Sequence, residues 1–344
     1  MRQKIYIRCQ AGQKRGFAHL RRCLILAHTM KQQGGVPIFI QPEHEVRAID
    51  FIRHEGFETA LIPHSTLANE ATFYPDGIKN ILLDLVHAET LKDPLSLTNL
   101  IHDLIDRNIR IAFIDGLFEE AFRPVGMPHI ECIIEPYVGG EDDISAKCNS
   151  FLGGGQYAIL GPQYKNLPER KIAVEVKNIL VAFGGADPQG LTATVLKSLP
   201  EGTSVRAVIG PYFSEEHRTA IKRAKTANVT LVENEMDLLP HYLWADICVT
   251  GSGTTRYECA ATGLPAIFAC LYGYHERLSR LYADKGLAIY TGRYETLADA
   301  DWQNAVKSLM NNHELRLSLS AQSHKNIDSQ GTDRIVSHLI KKVF

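Results

Sequence analysis

Gly251-Ser252-Gly253-Thr254-Thr255 follows the apolar run Ile247 to Val249 and precedes a helix-like stretch from Arg256 to Thr262. A strand that turns through small, hydroxyl-bearing residues into a helix leaves backbone N–H groups open at the positive end of the helix dipole. That chemistry suits a phosphate. Glu258 falls one turn into the helix, where a carboxylate can accept hydrogen bonds from ribose hydroxyls. The same residues also fit an ordinary capped helix with Ser252 or Thr254 as N-cap. A second glycine turn, Phe183-Gly184-Gly185, closes another strand-like run. Two such turns at the carboxyl edge of one sheet can enclose a nucleotide. No G-x-G-x-x-G follows the first strand, so a dinucleotide site is not indicated.

In the first half the chemistry-bearing group is Gly16-Phe17-Ala18-His19-Leu20-Arg21-Arg22. His19 stands at a predicted helix start, where the dipole disfavours its cationic form. That leaves a neutral, proton-accepting imidazole, as a general base requires. A solvent-facing or capping role is the other reading of this histidine, one of 14. Arg22, one turn later, faces either a phosphate or solvent. Asp115 ends the strand-like run Arg110 to Ile114, at the ligand edge of a parallel sheet. Asp115-Gly116 is equally a turn-forming pair. His54, His64 and His87 lack ligand-like spacing, and Tyr274-His275-Glu276 lacks the second histidine of H-E-x-x-H. No metal and no cofactor are therefore expected, and there is no G-x-S-x-G elbow.

These residues need a scaffold, and strand–helix alternation supplies one. Lys4 to Cys9, Val36 to Ile40, Arg110 to Ile114 and Glu131 to Glu135 read as strands, with helical periodicity over His19 to Gln33 and Leu95 to Arg107. Asn80 to Val86 fits either a strand or a helix. The rhythm restarts at Asn178 to Phe183 and continues to Tyr290, and residues from about Ala300 onward read as mostly helical. Such alternation implies parallel sheets with helical crossovers. The glycine- and proline-bearing stretch from Gly153 to Pro168 marks a boundary, giving an N-terminal domain 1–168 and a C-terminal domain 169–344 that includes the final helices.

Length, 344 residues, fits about two domains. A formal net charge of −2 makes a nucleic-acid partner unlikely by electrostatics. The seven cysteines include no C-x-x-C pair and suit buried thiols in a reducing compartment. No apolar window is long enough to span a membrane, so a cytoplasmic location is expected. The sequence does not indicate an oligomeric state.

Taken together, Gly16 to Arg22, Gly155 to Tyr164, Phe183-Gly184-Gly185-Ala186-Asp187, Gly251 to Glu258, Gly263-Leu264-Pro265 and Ile327 to Arg334 form a pattern. It resembles the UDP-sugar hydrolases that release 2,4-diacetamido-2,4,6-trideoxy-altrose in pseudaminic acid synthesis, with their spore-coat polysaccharide relatives. That family is similar to the MurG-type GT-B glycosyltransferases. The resemblance implies an α/β, GT-B-like fold with two Rossmann-like domains facing across a cleft. It implies a UDP-sugar partner, with the diphosphate at Gly184, Gly185, Gly251, Ser252, Gly253, Thr254 and Thr255, ribose at Glu258, and Met236 and Leu239 near uracil. It makes His19 the catalytic base that activates water. Arg8, Gln10, Gly16, Arg22, Asp115 and His275 fall on the sugar side. The sequence departs from the family at four places: Gln10 replaces an aspartate, Ala18 a glycine, Leu117 a tyrosine, and Tyr274-His275 stands where Asn-Gln is usual. The departures lie mostly on the sugar side, so the sugar is more open to change than the nucleotide. A glycosyltransferase that delivers the sugar to an acceptor, and a catalytically silent nucleotide-sugar-binding protein, are the alternatives.

Overall fold

The structure, a computed structural model, describes residues 3–11, 17–86, 90–114, 126, 128–142, 148–233, 235 and 237–344. Its contacts divide the chain into two compact units. Met1–Arg15, His19–Ile159 and Gln330–Phe344 form the first; Gly16–Ala18 and Leu160–Ser329 form the second.

The first unit is built on seven strands: β1 (Lys4–Cys9), β2 (Val36–Pro42), β3 (Glu58–Ile62), β4 (Asn80–Asp84), β5 (Arg110–Ile114), β6 (Ile130–Glu135) and β7 (Cys148–Gly153). Their order is β3-β2-β1-β4-β5-β6-β7, and every pairing is parallel. The described helices are α1 (Ala18–Gln32), α2 (Val46–His54), α3 (Leu67–Glu70) and α4 (Pro94–Asp106). A parallel sheet needs crossovers on its faces and so buries both of them. Accordingly Ile5, Ile7 and Cys9 are buried on one face of β1, and Tyr6 and Arg8 on the other. The ambiguous run Asn80 to Val86 resolves as β4, because only a strand can pair with both β1 and β5. β7 has no counterpart in the sequence reading; its polar, partly exposed residues Cys148 to Ser150 hide the strand period.

The second unit repeats the plan with β8 (Asn178–Ala182), β9 (Ser204–Ile209), β10 (Val229–Glu233), β11 (Ile247–Gly251), β12 (Ala266–Cys270) and β13 (Ile289–Arg293). The order is β10-β9-β8-β11-β12-β13, again parallel throughout. Its helices are α5 (Leu191–Ser198), α6 (Glu215–Ala224), α7 (Leu239–Trp244), α8 (Thr255–Ala261), α9 (Glu276–Asp284), α10 (Asp299–Asn311) and α11 (His313–Asn326). Ile179, Val181, Val205, Ala207, Val249 and Ile267 share one core with Val195 of α5 and Trp302 and Val306 of α10. The Trp302 ring stands edge-on to Phe183 at 6.0 Å.

The compact units differ from the expected domain limits. The first unit ends at Ile159, not at residue 168, and α12 (Gly331–His338) belongs to it rather than to the second. The reason is packing. Ile335, Val336, Leu339 and Val343 are all buried. Arg334 Nη1 donates to Gln156 O at 2.9 Å, and His338 Nε2 lies 2.9 Å from Ser150 Oγ. Gly331 lies against the backbone of Tyr157 and Ala158, where a Cβ would come within 2.4 Å of Ala158 O.

Two arginines, the buried Arg316 and the half-buried Arg170, close the second unit by capping helix ends. Arg316 of α11 donates to Leu309 O and Met310 O at the end of α10 (2.6 and 2.8 Å), and to Ala173 O and Val174 O (2.9 and 2.7 Å). Arg170 likewise donates to Tyr242 O, Ala245 O and Thr262 O, the carbonyls that α7 and α8 leave open. Arg316→Ala is expected to lower the unfolding free energy by about 3 kcal/mol, because it strands buried carbonyls as well as removing charged hydrogen bonds. Urea denaturation measures this, and an unchanged midpoint would show that the clasp carries no stability.

Candidate functional site

In an open parallel sheet, ligands bind at the carboxyl ends of strands where the strand order reverses. The first sheet reverses between β1 and β4, the second between β8 and β11. Gln10, His19 and Arg22 lie at the first of these places, and Gly184, Gly185 and Gly251 to Thr255 lie at the carboxyl ends of β8 and β11 at the second.

At the first switch point the organising group is Asp84, the last residue of β4, whose side chain has no exposed surface. His19 Nδ1 lies 2.7 Å from its Oδ1. Arg22, one turn along α1, donates to both carboxylate oxygens from Nε and Nη2 and to the Tyr137 hydroxyl from Nη1. Cys23 Sγ lies 3.5 Å from Oδ2. Arg22 Nη2 also lies 3.1 Å from His19 Nδ1. Both nitrogens are donors to the shared oxygen, so Nδ1 carries the proton and Nε2 is the imidazole's acceptor. Burial alone would raise the Asp84 pKa; the Arg22 charge, with the hydrogen bonds from Arg22 and His19, outweighs it and holds the carboxyl well below the usual range.

Gln10, just beyond β1, is also buried. Its Nε2 donates to Thr90 Oγ1 at 3.0 Å, and Thr90 donates onward to Leu85 O at 2.7 Å. Among the described residues no donor reaches Gln10 Oε1. Arg8 is buried and fully engaged within the first unit. Its guanidinium pairs with Glu70 through Nε at 2.5 Å and Nη2 at 3.0 Å, and Nη1 donates to Cys9 O. Tyr74 holds the same glutamate at 2.7 Å. A buried cation so engaged ties β1 to α3. Gly16 and Asp115 lie outside the described residues.

At the second switch point both glycine turns are present. Thr250 sits opposite Ala182 in the β11–β8 register, and its hydroxyl donates to Ala182 O at 2.6 Å. The strand ends that carry the two turns are thereby fixed side by side. Gly184 adopts φ +73°, which a side chain would strain. Gly185 O accepts from Tyr212 N at 2.8 Å, and Gly210 packs so close to Gly184 and Gly185 that a Cβ would come within 2.4 Å of Gly185 O. Asp187 then accepts from the N–H groups of Leu191 and Thr192, both at 2.9 Å, and starts α5. These contacts position the loop without occupying the exposed Gly184.

The ordinary-cap reading of the other turn is not what the structure has. Thr254 is the N-cap residue of α8 but makes no side-chain cap bond. Ser252 Oγ instead accepts from Leu271 N at 3.2 Å. The first turn of α8 therefore begins without a side-chain acceptor, beside the exposed Gly253. Glu258 is buried one turn along, with its Oε2 held by the Tyr242 hydroxyl at 2.5 Å. Tyr242 lies on α7, so this bond also fixes the helix that starts at the half-buried Leu239. Met236 lies outside the described residues. His275 follows β12 on the same carboxyl edge, within a cluster of Tyr272 and Tyr274 rings. Among the described residues no group of three His, Cys, Asp or Glu side chains is arranged to hold a metal ion.

Sequence reasoning missed Asp84, Tyr137 and Tyr242. The signal for Asp84 was a carboxylate inside the apolar run Ile81 to Val86; once that run is a strand, the acid falls on the ligand edge.

The chain has relatives consistent with this geometry. It is 24% identical over 341 residues to the spore coat polysaccharide biosynthesis protein SpsG of Bacillus subtilis, covering 95% of both chains. The fold is similar to that of Acinetobacter baumannii MurG, with TM-score 0.65, 13% identity, and 98% and 99% of the two chains covered. It is also similar to that of LpCGTa, solved in complex with UDP, with TM-score 0.61, 12% identity, and 98% and 99% covered. No family model matches the chain. The chain thus has a GT-B fold, with two parallel Rossmann-like sheets. It is a distant homologue of SpsG.

Asp84→Asn removes the carboxylate shared by Arg22 and His19, and should destabilise the protein by about 3–5 kcal/mol, the usual range for breaking a buried pair. The folded pKa of Asp84 is depressed, so its contribution is present above the unfolded value of about 4 and is lost as pH falls below it. Urea titrations at neutral and acid pH should show the wild type and Asp84→Asn converging in acid. A constant gap between them would mean that the charge of Asp84 is not what stabilises the network.

Proposed function

We propose that the protein hydrolyses a UDP-linked amino-deoxy sugar of the 2,4-diacetamido-2,4,6-trideoxy-hexose type, releasing UDP and free sugar for nonulosonic acid or surface-polysaccharide synthesis. The observation that carries this reading is the pair of glycine turns, 184–185 and 251–255, fixed on adjacent strands at the switch point of the second sheet. Backbone N–H groups there bind the diphosphate, Glu258 accepts from the ribose hydroxyls, and Leu239 with Met236 borders the uracil.

His19 serves as the general base in this reading. Asp84 accepts from His19 Nδ1, which leaves Nε2 as the base. Nε2 takes a proton from water as the water oxygen bonds to the anomeric carbon. The bond from that carbon to the diphosphate oxygen breaks, and UDP leaves with the electron pair. Donors fixed before the reaction stabilise this charge without having to reorganise. Arg22 keeps Asp84 ionised, so the carboxylate remains an acceptor for Nδ1–H while Nε2 takes up the proton.

Support for transfer instead of hydrolysis comes from the similarity of the fold to glycosyltransferases. In that reading an acceptor alcohol takes the place of water at the same base. Purified protein given a panel of UDP-sugars, with EDTA present and no acceptor, is expected to release UDP. His19→Ala should abolish turnover while UDP binding is retained. Release only on addition of an acceptor would convert the assignment to a transferase, and UDP binding with no release under either condition would leave a silent binding protein. Glu258→Ala should weaken UDP binding by about 1.5–3 kcal/mol, the value of a hydrogen bond to a charged group. Calorimetry showing equal affinity would remove Glu258 from the site.

A further inference from the structure

Gly185, unlike Gly184, is not held in the left-handed region of backbone space. A neighbour is what requires glycine there. A Cβ at Gly185 would lie 2.7 Å from Phe17 Cβ and 3.3 Å from Phe17 N. The Phe17 ring is buried beside that of Tyr212, with centroids 6.1 Å apart and planes at 40°. Tyr212 in turn donates its N–H to Gly185 O at 2.8 Å. Phe17, Gly185 and Tyr212 thus close a packed triad within the second unit.

In sequence Phe17 is remote from the other two members. It stands two residues before His19, and the chain passes from the second unit into the first between Ala18 and His19. Two residues of chain span at most about 7 Å. The start of α1, at Ala18, therefore cannot move away from the 184–185 turn without drawing Phe17 out of its seat. The His19 side chain has its own anchor in Asp84, 2.7 Å from Nδ1. Asp84 orients the imidazole; Phe17 limits where the backbone that carries it can stand.

From this arrangement we infer that Phe17 is a positioning residue: it couples the 184–185 turn to the general base, so that a diphosphate settling on the turn sets the placement of His19. The inference rests on the UDP-sugar reading above. Its physical basis is close packing. Gly185 has Phe17 against it at its Cα, and Gly210 so near its carbonyl that a Cβ on Gly210 would lie 2.4 Å from Gly185 O. A turn without slack on either flank passes a displacement on to its neighbours instead of absorbing it. Of those two neighbours, Phe17 leads into α1. The base is thereby set in place when the leaving group is bound, and by the group that binds it.

The test uses UDP as the probe and NMR of isotope-labelled histidine side chains as the reporter, the His19 signal being the one that disappears in His19→Ala. In the parent, UDP is expected to shift that signal. Phe17→Ala should still bind UDP by calorimetry, with affinity altered by no more than about tenfold, while the His19 shift is lost. Val306→Ala, a core change in α10 of the same unit, should lower the melting temperature and keep the shift. A parent that does not bind UDP overturns the nucleotide reading, and the coupling falls with it. A parent that binds UDP with the His19 signal unmoved overturns the coupling alone. The coupling is equally overturned by a Phe17→Ala variant that keeps the shift, or by a Val306→Ala variant that loses it. A folded Phe17→Ala variant that no longer binds UDP overturns it too, and makes Phe17 part of the nucleotide site instead. If Phe17→Ala fails to fold, hydrogen exchange in the parent decides. Slower exchange of the Phe17 to Leu20 amides on UDP binding supports the coupling, and unchanged exchange overturns it.

Discussion

A carboxylate with no exposed surface stays ionised only if cations and donors surround it, and Asp84 imposes that demand on the first unit. Its position at the end of β4 draws in Arg22 and His19 from α1, and through Arg22 the hydroxyl of Tyr137 beyond β6. Three separated segments are thereby held to one atom group. The imidazole orientation follows from that electrostatic requirement rather than from any local property of the Gly16 to Arg22 segment. Arg8 and Glu70 meet the same demand on the opposite face of β1. One buried pair ties a helix to the sheet at the switch point; the other ties a helix behind it.

The second unit is constrained by geometry more than by charge. The carboxyl edge of its sheet is made of backbone at the switch point: a left-handed Gly184, a Gly210 that admits no side chain, and a helix start left without a side-chain cap. Side chains serve this backbone from outside. Asp187 caps α5, Ser252 holds Leu271, and Tyr242 fixes Glu258. Such a site can persist while surrounding side chains change, because hydrogen-bond donors on the main chain are independent of residue type. The residues proposed for the sugar side have no such protection, and there the sequence departs from the family it resembles, at Gln10, Ala18, Leu117 and Tyr274-His275.

Much of the fold was legible in the sequence because parallel α/β units write their period plainly: apolar runs such as Ile179 to Phe183 alternate with amphipathic helices. Both glycine turns were visible for the same reason. Asp84 was hidden because periodicity alone cannot tell a short buried strand from a helix, and a charged residue within an apolar run has no local explanation. The partner of Arg8 was not legible because spacing shows that a cation lies on β1 but not that Glu70, 62 residues away, will neutralise it. The limits of the units were blurred because α12 has ordinary helical periodicity, and which core receives its apolar face is decided only in three dimensions.

That return of residues 330–344 to the first unit has a consequence for how the protein is made. The ribosome delivers α12 only after the whole of the second unit. The first unit therefore lacks the four apolar side chains Ile335, Val336, Leu339 and Val343 while the second is being synthesised. At about 1.5–3 kcal/mol for each fully buried side chain, that deficit is comparable with the net stability of a typical domain. The N-terminal half of the gene is then not a self-sufficient module. A fragment cut at Ile159 would expose an apolar groove, and a lineage exchanging halves with another such protein would have to carry two separated stretches of coding sequence to move one folded unit.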